Sequence, residues 1–155
     1  MTHGGVLQDT HNRIIRDLRI SITDRCNFRC VYCLPETEEA ANFYRPNSTS
    51  PNNSRQANNS PIYHWKPRSQ ILTFEEITRV ARVAASLGVN KIRITGGEPL
   101  LRQGVENLVS EIAAIRPIRD LSMTTNGTGF PALAKRLKEA GLGRMTISLD
   151  SLDRD

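Results

Sequence analysis

The sequence predicts an α/β fold, a parallel sheet of about four strands and three helices that forms part of a (β/α) barrel. Strand-like and helix-like segments alternate through the second half of the 155-residue chain. Each strand carries apolar residues at every second position and polar residues between them. The segments that carry cysteine, glycine and asparagine follow the strands' carboxyl ends, where barrels of this kind place their chemistry.

The four strands are short segments of alternating polarity. They are predicted at residues 18–23, 91–95, 121–125 and 145–150. Parallel strands need a long crossover connection, which is usually a helix. The three helical segments between these strands therefore favour a parallel sheet over an antiparallel sheet with one solvated face.

The three helices begin and end at characteristic residues. Residues 73–76 form a capping-box sequence that opens the first helix, and Gly88 ends it. The second helix has its apolar positions at helical spacing and ends before Pro117. Pro131 opens the third helix and Gly141 follows its end.

The polar strand residues lie on the face that the helices leave uncovered. Arg19, Arg93, Thr124 and Ser148 share this face by their alternation with apolar neighbours. An ordinary (β/α)8 barrel fills its interior with branched apolar side chains, so a polar inner face predicts a chamber for a hydrated or charged ligand. Two arginines on one inner face indicate an anion between them.

All three cysteines lie in one short loop, at Cys26, Cys30 and Cys33. A [4Fe-4S] cluster normally takes four cysteine thiolates, so three would leave one iron open to a ligand that is not protein. A structural zinc site needs four ligands, and no histidine has ligand spacing to this loop. A disulfide would leave one cysteine over and would suit a small secreted domain. The spacing favours a cluster, with zinc and buried structural thiols as the alternatives.

Residues 36–68 interrupt the alternation with a segment rich in asparagine, serine and proline. Such a segment buries too little apolar surface to offset the entropy lost on ordering. We predict a disordered insertion here. An active-site lid is the alternative, because the segment directly follows the cysteines.

Several motifs resemble the radical S-adenosylmethionine (SAM) superfamily. They are residues 18–35 around the cysteines, Arg-Ile-Thr-Gly-Gly-Glu-Pro-Leu-Leu-Arg at 93–102, Met-Thr-Thr-Asn-Gly at 123–127 and Ile-Ser-Leu-Asp-Ser-Leu at 147–152. The run Leu-Arg-Ile-Ser-Ile-Thr-Asp-Arg-Cys that ends at Cys26 is most similar to the GTP 3′,8-cyclases, which begin molybdenum cofactor (molybdopterin) biosynthesis. The resemblance implies that residues 1–155 are the N-terminal part of a radical SAM core domain, a truncated barrel. The family's C-terminal region, with its second three-cysteine cluster, has no counterpart here.

The resemblance also implies cofactors and site residues. The cofactors are a [4Fe-4S] cluster and S-adenosyl-L-methionine, and no catalytic side chain is implied. Glycines without a Cβ let the backbone approach a ligand closely, and the glutamate can accept from the methionyl ammonium group. The implied residues are Cys26, Cys30 and Cys33 for the cluster, Tyr32, Gly96, Gly97, Glu98 and Ser148 for SAM, and Arg19, Arg93 and Thr124 for GTP.

Composition limits the partners. The formal charge of +5 suits an anionic ligand, but the basic residues are scattered and no basic tract indicates a nucleic-acid partner. No run approaches the ~18 apolar residues of a membrane span, so we expect no membrane partner. Reduced thiols and an iron cluster indicate the cytoplasm. We further expect GTP as substrate, an external electron donor and, if it is encoded separately, the missing C-terminal half; a homodimer is left open.

We therefore expect a radical SAM lyase of the GTP 3′,8-cyclase family, present as its N-terminal part. The family converts GTP to (8S)-3′,8-cyclo-7,8-dihydroguanosine 5′-triphosphate. We expect this part alone not to turn GTP over, because four strands leave the chamber open to water and oxygen. Two alternatives stay open: a radical SAM enzyme for another small molecule or a peptide, and a remnant that binds a cluster without catalysis.

Overall fold

The structure is a computed structural model that describes residues 6–28, 30, 33 and 65–152. These residues fall into two units, and the one formed by Met1–Cys26 and Pro67–Asp155 holds the sheet and the helices. Asn27–Lys66 forms the second unit, in which the Cys33 amide donates to the Cys30 carbonyl oxygen at 2.9 Å and closes a turn. Most of the predicted insertion at 36–68 lies outside the described residues, so its disorder stays a prediction.

The sheet has four parallel strands that lie in the order in which they occur in the chain. They are β1 (Asp17–Ser21), β2 (Lys91–Thr95), β3 (Asp120–Thr125) and β4 (Arg144–Ile147). Among the described residues β1 and β4 do not pair, so the sheet is open and the expected partial (β/α) fold is confirmed. The first and last strands end earlier than predicted. Beyond Ser21 the Ile22 amide still donates to the Thr95 carbonyl oxygen at 2.9 Å, and the Thr23 carbonyl oxygen accepts from the Gly97 amide in the loop after β2.

Three helices make the crossovers: α1 (Phe74–Ser86), α2 (Val105–Ala113) and α3 (Phe130–Glu139). The predicted capping box is present, since the Thr73 hydroxyl accepts from the Glu76 amide at 3.2 Å and the Glu76 carboxylate accepts from the Thr73 amide at 2.8 Å. Gly88 and Gly141 follow α1 and α3 with φ of 102° and 101°, a conformation that favours glycine. In the part of the chain that the structure describes, no helix is long and apolar enough to cross a membrane.

The hydrophobic core lies between one face of the sheet and the helices. Its strand residues are at most 8% exposed. Burial of each large apolar side chain contributes roughly 1.5–3 kcal/mol to the free energy of folding. The main contributors are Ile20, Ile22, Ile92, Ile94, Leu121 and Met123 from the sheet side and Ile77, Ala81, Leu108, Val109, Ile112 and Leu137 from the helices. Coverage is weakest beside β4, where Ile147 is 49% exposed.

Candidate functional site

Three loops meet at the carboxyl edge of the sheet, as the sequence predicts. The loop after β1 carries Cys26, the loop after β2 carries Gly96, Gly97 and Glu98, and the loop after β3 carries Asn126. Hydrogen bonds tie the second loop to both of the others. The three loops are therefore held together by hydrogen bonds at this edge.

Gly96 and Gly97 pack directly against the backbone that precedes Cys26. A Cβ on Gly97 would lie 2.3 Å from the Arg25 carbonyl oxygen, and one on Gly96 would lie 2.6 Å from the Thr23 carbonyl oxygen. The Gly97 amide donates to that same Thr23 oxygen at 2.7 Å. From the sequence, these glycines are expected to let the backbone approach a ligand closely. The structure adds a second reason for them, because they let two loops touch through their backbones. Their contact with SAM stays a prediction.

The buried Glu98 carboxylate connects the loop after β2 to the end of β3. Glu98 is 1% exposed. Its Oε1 accepts from the Leu100 amide at 2.9 Å and from the Thr125 hydroxyl at 2.7 Å. Oε2 accepts from the Asn126 amide at 2.7 Å. The Glu98 amide donates to the Arg25 carbonyl oxygen at 2.6 Å. With three acceptor positions of about four occupied, this side chain primarily braces the edge, and its predicted contact with a methionyl ammonium group stays a prediction.

Asn126 stands where β3 ends and turns toward the loop after β1. Its Oδ1 accepts from the Thr128 amide at 3.0 Å, and its Nδ2 lies 4.0 Å from the Cys26 sulfur. The side chain of the first cysteine is thus in contact with the loop after β3.

The cysteines form no disulfide, and Cys26 and Cys30 are partly buried while Cys33 is exposed. Cys26 belongs to the sheet unit, and Cys30 and Cys33 belong to the second unit. Among the described residues, no three His, Cys, Asp or Glu side chains form a group that could hold a metal ion. The ligand role of the three thiols stays a prediction. Tyr32, which lies between Cys30 and Cys33 in the sequence and is predicted to contact SAM, is outside the described residues.

The polar face of the sheet brings two predicted substrate residues side by side. Arg19 of β1 is the register partner of Arg93 of β2, and both are exposed. Thr124 of β3 lies on the same face, two residues nearer the carboxyl edge than the arginine row. Ser148 follows β4, is exposed, and its amide donates to the Thr125 carbonyl oxygen at 2.8 Å. Their predicted contacts with GTP and SAM stay predictions.

A third arginine on this face has a carboxylate partner. Arg144 donates to Asp120 through Nε at 3.1 Å and Nη2 at 2.6 Å. These hydrogen bonds hold the pKa of Asp120 below its ordinary value. A cavity of about 120 Å³ lies among Arg19, Arg93 and this pair. Asp120 already accepts hydrogen bonds from Arg144. A ligand can therefore bind Arg19 and Arg93 without breaking that ion pair.

Two residues that shape the edge had no individual role predicted from the sequence. The segment with Asn126 was expected among the loops at the carboxyl ends of the strands, but no contact of its side chain was predicted. Arg102 donates to the carbonyl oxygens of Ile22 and Leu72, each at 2.5 Å, and its guanidinium lies 4.3 Å from the centre of the Phe74 ring. Burial lowers the pKa of Arg102. It anchors the loop after β2 to the start of α1.

Residues 20–155 match the Radical SAM superfamily. The chain belongs to the radical SAM superfamily. It is 46% identical over 149 residues to the GTP 3′,8-cyclase of Pelotomaculum thermopropionicum, 44% over 148 residues to that of Staphylococcus epidermidis and 45% over 147 residues to that of Acidothermus cellulolyticus. These alignments cover 96%, 96% and 95% of the chain but only 38%, 38% and 35% of the relatives' own length.

Radical SAM proteins use a [4Fe-4S] cluster and S-adenosylmethionine, and the donor chemistry of this chain fits the cluster. None of its three cysteines lies in a disulfide, and cysteine thiolate is the ligand that such clusters take. Cys26, Cys30 and Cys33 would hold the cluster. The backbone just before Cys26 is fixed by the bonds from Gly97 and Glu98, so the first of these thiols stands on a rigid part of the sheet unit.

Proposed function

We propose that this chain is the amino-terminal part of a radical SAM enzyme that acts on GTP. The reaction would be its conversion to (8S)-3′,8-cyclo-7,8-dihydroguanosine 5′-triphosphate, the first step of molybdenum cofactor biosynthesis. Relatives named GTP 3′,8-cyclase match nearly the whole chain and support this proposal. The structural observation that carries it is the adjacent pair Arg19 and Arg93 on the polar face of the sheet.

The arginine pair favours an anionic substrate. Neighbouring strands lie about 4.8 Å apart, so register partners hold their side chains close together. Two guanidinium groups at that separation repel each other, and an anion between them removes the repulsion. Within the described residues neither Arg19 nor Arg93 forms a salt bridge. Their planar donor groups match phosphate oxygens in a two-bond geometry.

The carboxyl edge supplies the other half of the proposed site. The bound cluster and SAM would supply a 5′-deoxyadenosyl radical, which is chemistry of the cofactor and not of a side chain. The contribution of the chain is position. Gly96, Gly97 and Glu98 fix the backbone before Cys26, and Thr124 and Ser148 present polar groups near the same edge.

The relatives extend beyond the part that this chain matches. The remaining length of the relatives would complete the chamber and exclude water from the reaction. An external electron donor and a cytoplasmic location are part of the proposal, because a reducible cluster on cysteine ligands needs both a source of electrons and a reducing environment.

GTP binding by the anaerobically reconstituted chain tests the proposal. Arg93→Ala and Arg19→Ala should each weaken GTP binding about 10-fold or more, since a hydrogen bond to a charged group contributes about 1.5–3 kcal/mol. Iron content should not change. Isothermal titration calorimetry measures the first quantity and iron analysis measures the second.

Arg82→Ala is the matched control, because Arg82 is an exposed arginine of α1 outside the sheet. It removes the same charge from the chain and should leave GTP affinity within about twofold, as expected for long-range screened charge. Equal weakening by Arg82→Ala and Arg93→Ala would show a non-specific charge effect. GTP affinity unchanged in both Arg19→Ala and Arg93→Ala would overturn the substrate assignment.

A further inference from the structure

We infer that Asn126 is a positioning residue for the iron–sulfur cluster. Its side-chain amide would donate an N–H···S hydrogen bond to the Cys26 thiolate and thereby raise the reduction potential of the cluster. The inference rests on the cluster part of the proposed function and is independent of GTP as the substrate.

The orientation of the Asn126 amide is set by its second contact. Oδ1 accepts from the Thr128 backbone amide at 3.0 Å, and a backbone N–H can only donate. The oxygen must therefore face Thr128. The NH₂ group consequently faces Cys26, with Nδ2 4.0 Å from its sulfur. That separation is at the long end for a sulfur acceptor. An exchange of the amide oxygen and nitrogen would lose the bond from Thr128.

The backbone of Asn126 is held as firmly as its side chain. Its amide donates to Glu98 Oε2 at 2.7 Å, and the Glu98 amide donates to the Arg25 carbonyl oxygen at 2.6 Å, one residue before Cys26. Cys26, Arg25, Glu98 and Asn126 thus form a closed ring of bonds and contacts. On the other side of Asn126, the Gly127 amide donates to the Thr125 hydroxyl at 3.0 Å. The donor is held in place before any cluster binds.

A preorganised donor of this kind changes the equilibrium between the oxidised and the reduced state of a cluster. Once Cys26 ligates iron its sulfur is a thiolate, and the added electron of the reduced cluster increases the negative charge on the sulfurs. An N–H dipole directed at one sulfur stabilises the reduced state more than the oxidised state, and hydrogen bonds to the sulfurs are known to set cluster potentials. The partial burial of this contact strengthens the effect, because the local dielectric constant is lower than in water.

The test is an EPR-monitored redox titration of the full chain reconstituted with iron and sulfide, without SAM or GTP. Asn126→Ala removes the donor and keeps the backbone bond to Glu98. We expect unchanged iron per chain and a reduced-to-oxidised ratio about tenfold lower at a fixed solution potential, which is about 59 mV for a one-electron couple. Asn126→Asp keeps the acceptor for Thr128 and replaces the donor with an anionic oxygen, so we expect a larger shift in the same direction.

Asn90→Ala is the matched control. Asn90 precedes β2 at the amino edge of the sheet, and its carbonyl oxygen accepts from the Arg119 and Asp120 amides, bonds that alanine retains. Its midpoint potential should equal that of the unsubstituted chain. If Asn126→Ala does not fold, as judged by circular dichroism, Asn126→Asp decides.

The outcomes separate the inference from the proposed function. Normal iron content with an unshifted potential in the Asn126 variants would overturn the inference and leave the cluster and the substrate assignment standing. Failure of the unsubstituted chain to take up iron would overturn the cluster assignment and the inference with it.

Discussion

Replacing Gly97 with alanine should break the contact between the loops after β1 and β2. The added Cβ would lie 2.3 Å from the Arg25 carbonyl oxygen and 2.6 Å from the Asp24 carbonyl oxygen, about 1 Å inside ordinary contact at 3.4 Å. Both obstacles are backbone atoms, so no side chain can rotate away. Separating the loops would stretch the bonds from the Gly97 amide to Thr23 at 2.7 Å and from the Glu98 amide to Arg25 at 2.6 Å.

The magnitude follows from these losses. Overpacking costs about 1–3 kcal/mol, and each stretched hydrogen bond adds about 0.5–1.5 kcal/mol. We expect Gly97→Ala to lower the free energy of unfolding by about 2–6 kcal/mol, measured by urea denaturation followed by far-UV circular dichroism. For a domain with about 5–15 kcal/mol in total, this is a large fraction.

Gly143→Ala is the matched control for this substitution. A Cβ on Gly143 would meet its nearest neighbour, the Leu121 carbonyl oxygen, at 3.4 Å, and Gly143 has no positive φ. Alanine there should be neutral or should stabilise by up to about 1 kcal/mol through the unfolded state. Equal stability of the Gly97→Ala and Gly143→Ala chains would refute the backbone-contact explanation of the glycine pair.

Three further substitutions test other parts of the fold. Thr73→Ala removes the helix cap and should cost about 0.5–2 kcal/mol in urea denaturation; no change would mean that the cap is dispensable. Glu98→Gln places an NH₂ group among donors that include the Asn126 amide, so one donor stays unsatisfied and stability should fall by about 1–3 kcal/mol. The pKa of Asp120 is lowered chiefly by hydrogen bonds from Arg144, so the pair stabilises the fold fully above about pH 5 and loses that contribution as the pH falls through the folded value. Asp120→Asn should therefore flatten the fall in stability between about pH 5 and pH 2, and an unchanged pH profile would count against the pair.

Local chemistry made much of the fold predictable. The helix ends follow from signals within a few residues, such as the capping box at Thr73 and the glycines after α1 and α3. The alternation of polar and apolar residues indicated correctly which face of the sheet the helices cover. It also indicated that Arg19 and Arg93 share a face, but only the register of β1 and β2 makes them direct neighbours.

The site was predicted less completely, because its contacts join residues far apart in the sequence. Glu98 reaches Asn126 and Arg25 only after three strands have paired, and nothing in its own motif distinguishes a buried brace from a ligand contact. The glycines were expected to approach a ligand, whereas the structure packs them on backbone that lies more than 70 residues earlier in the chain. The early end of β1 has a similar cause, because the Thr23 carbonyl oxygen accepts from the Gly97 amide in the loop after β2.

Iron analysis of the anaerobically reconstituted chain tests the central claim most directly. If Cys26, Cys30 and Cys33 hold a [4Fe-4S] cluster, the chain should bind about four irons and show a reducible EPR signal. Substituting any one of the three cysteines with alanine should abolish most of the bound iron, because the cluster would be left with two protein ligands. One tightly held zinc per chain without iron uptake, or iron content unaffected by these substitutions, would contradict the account.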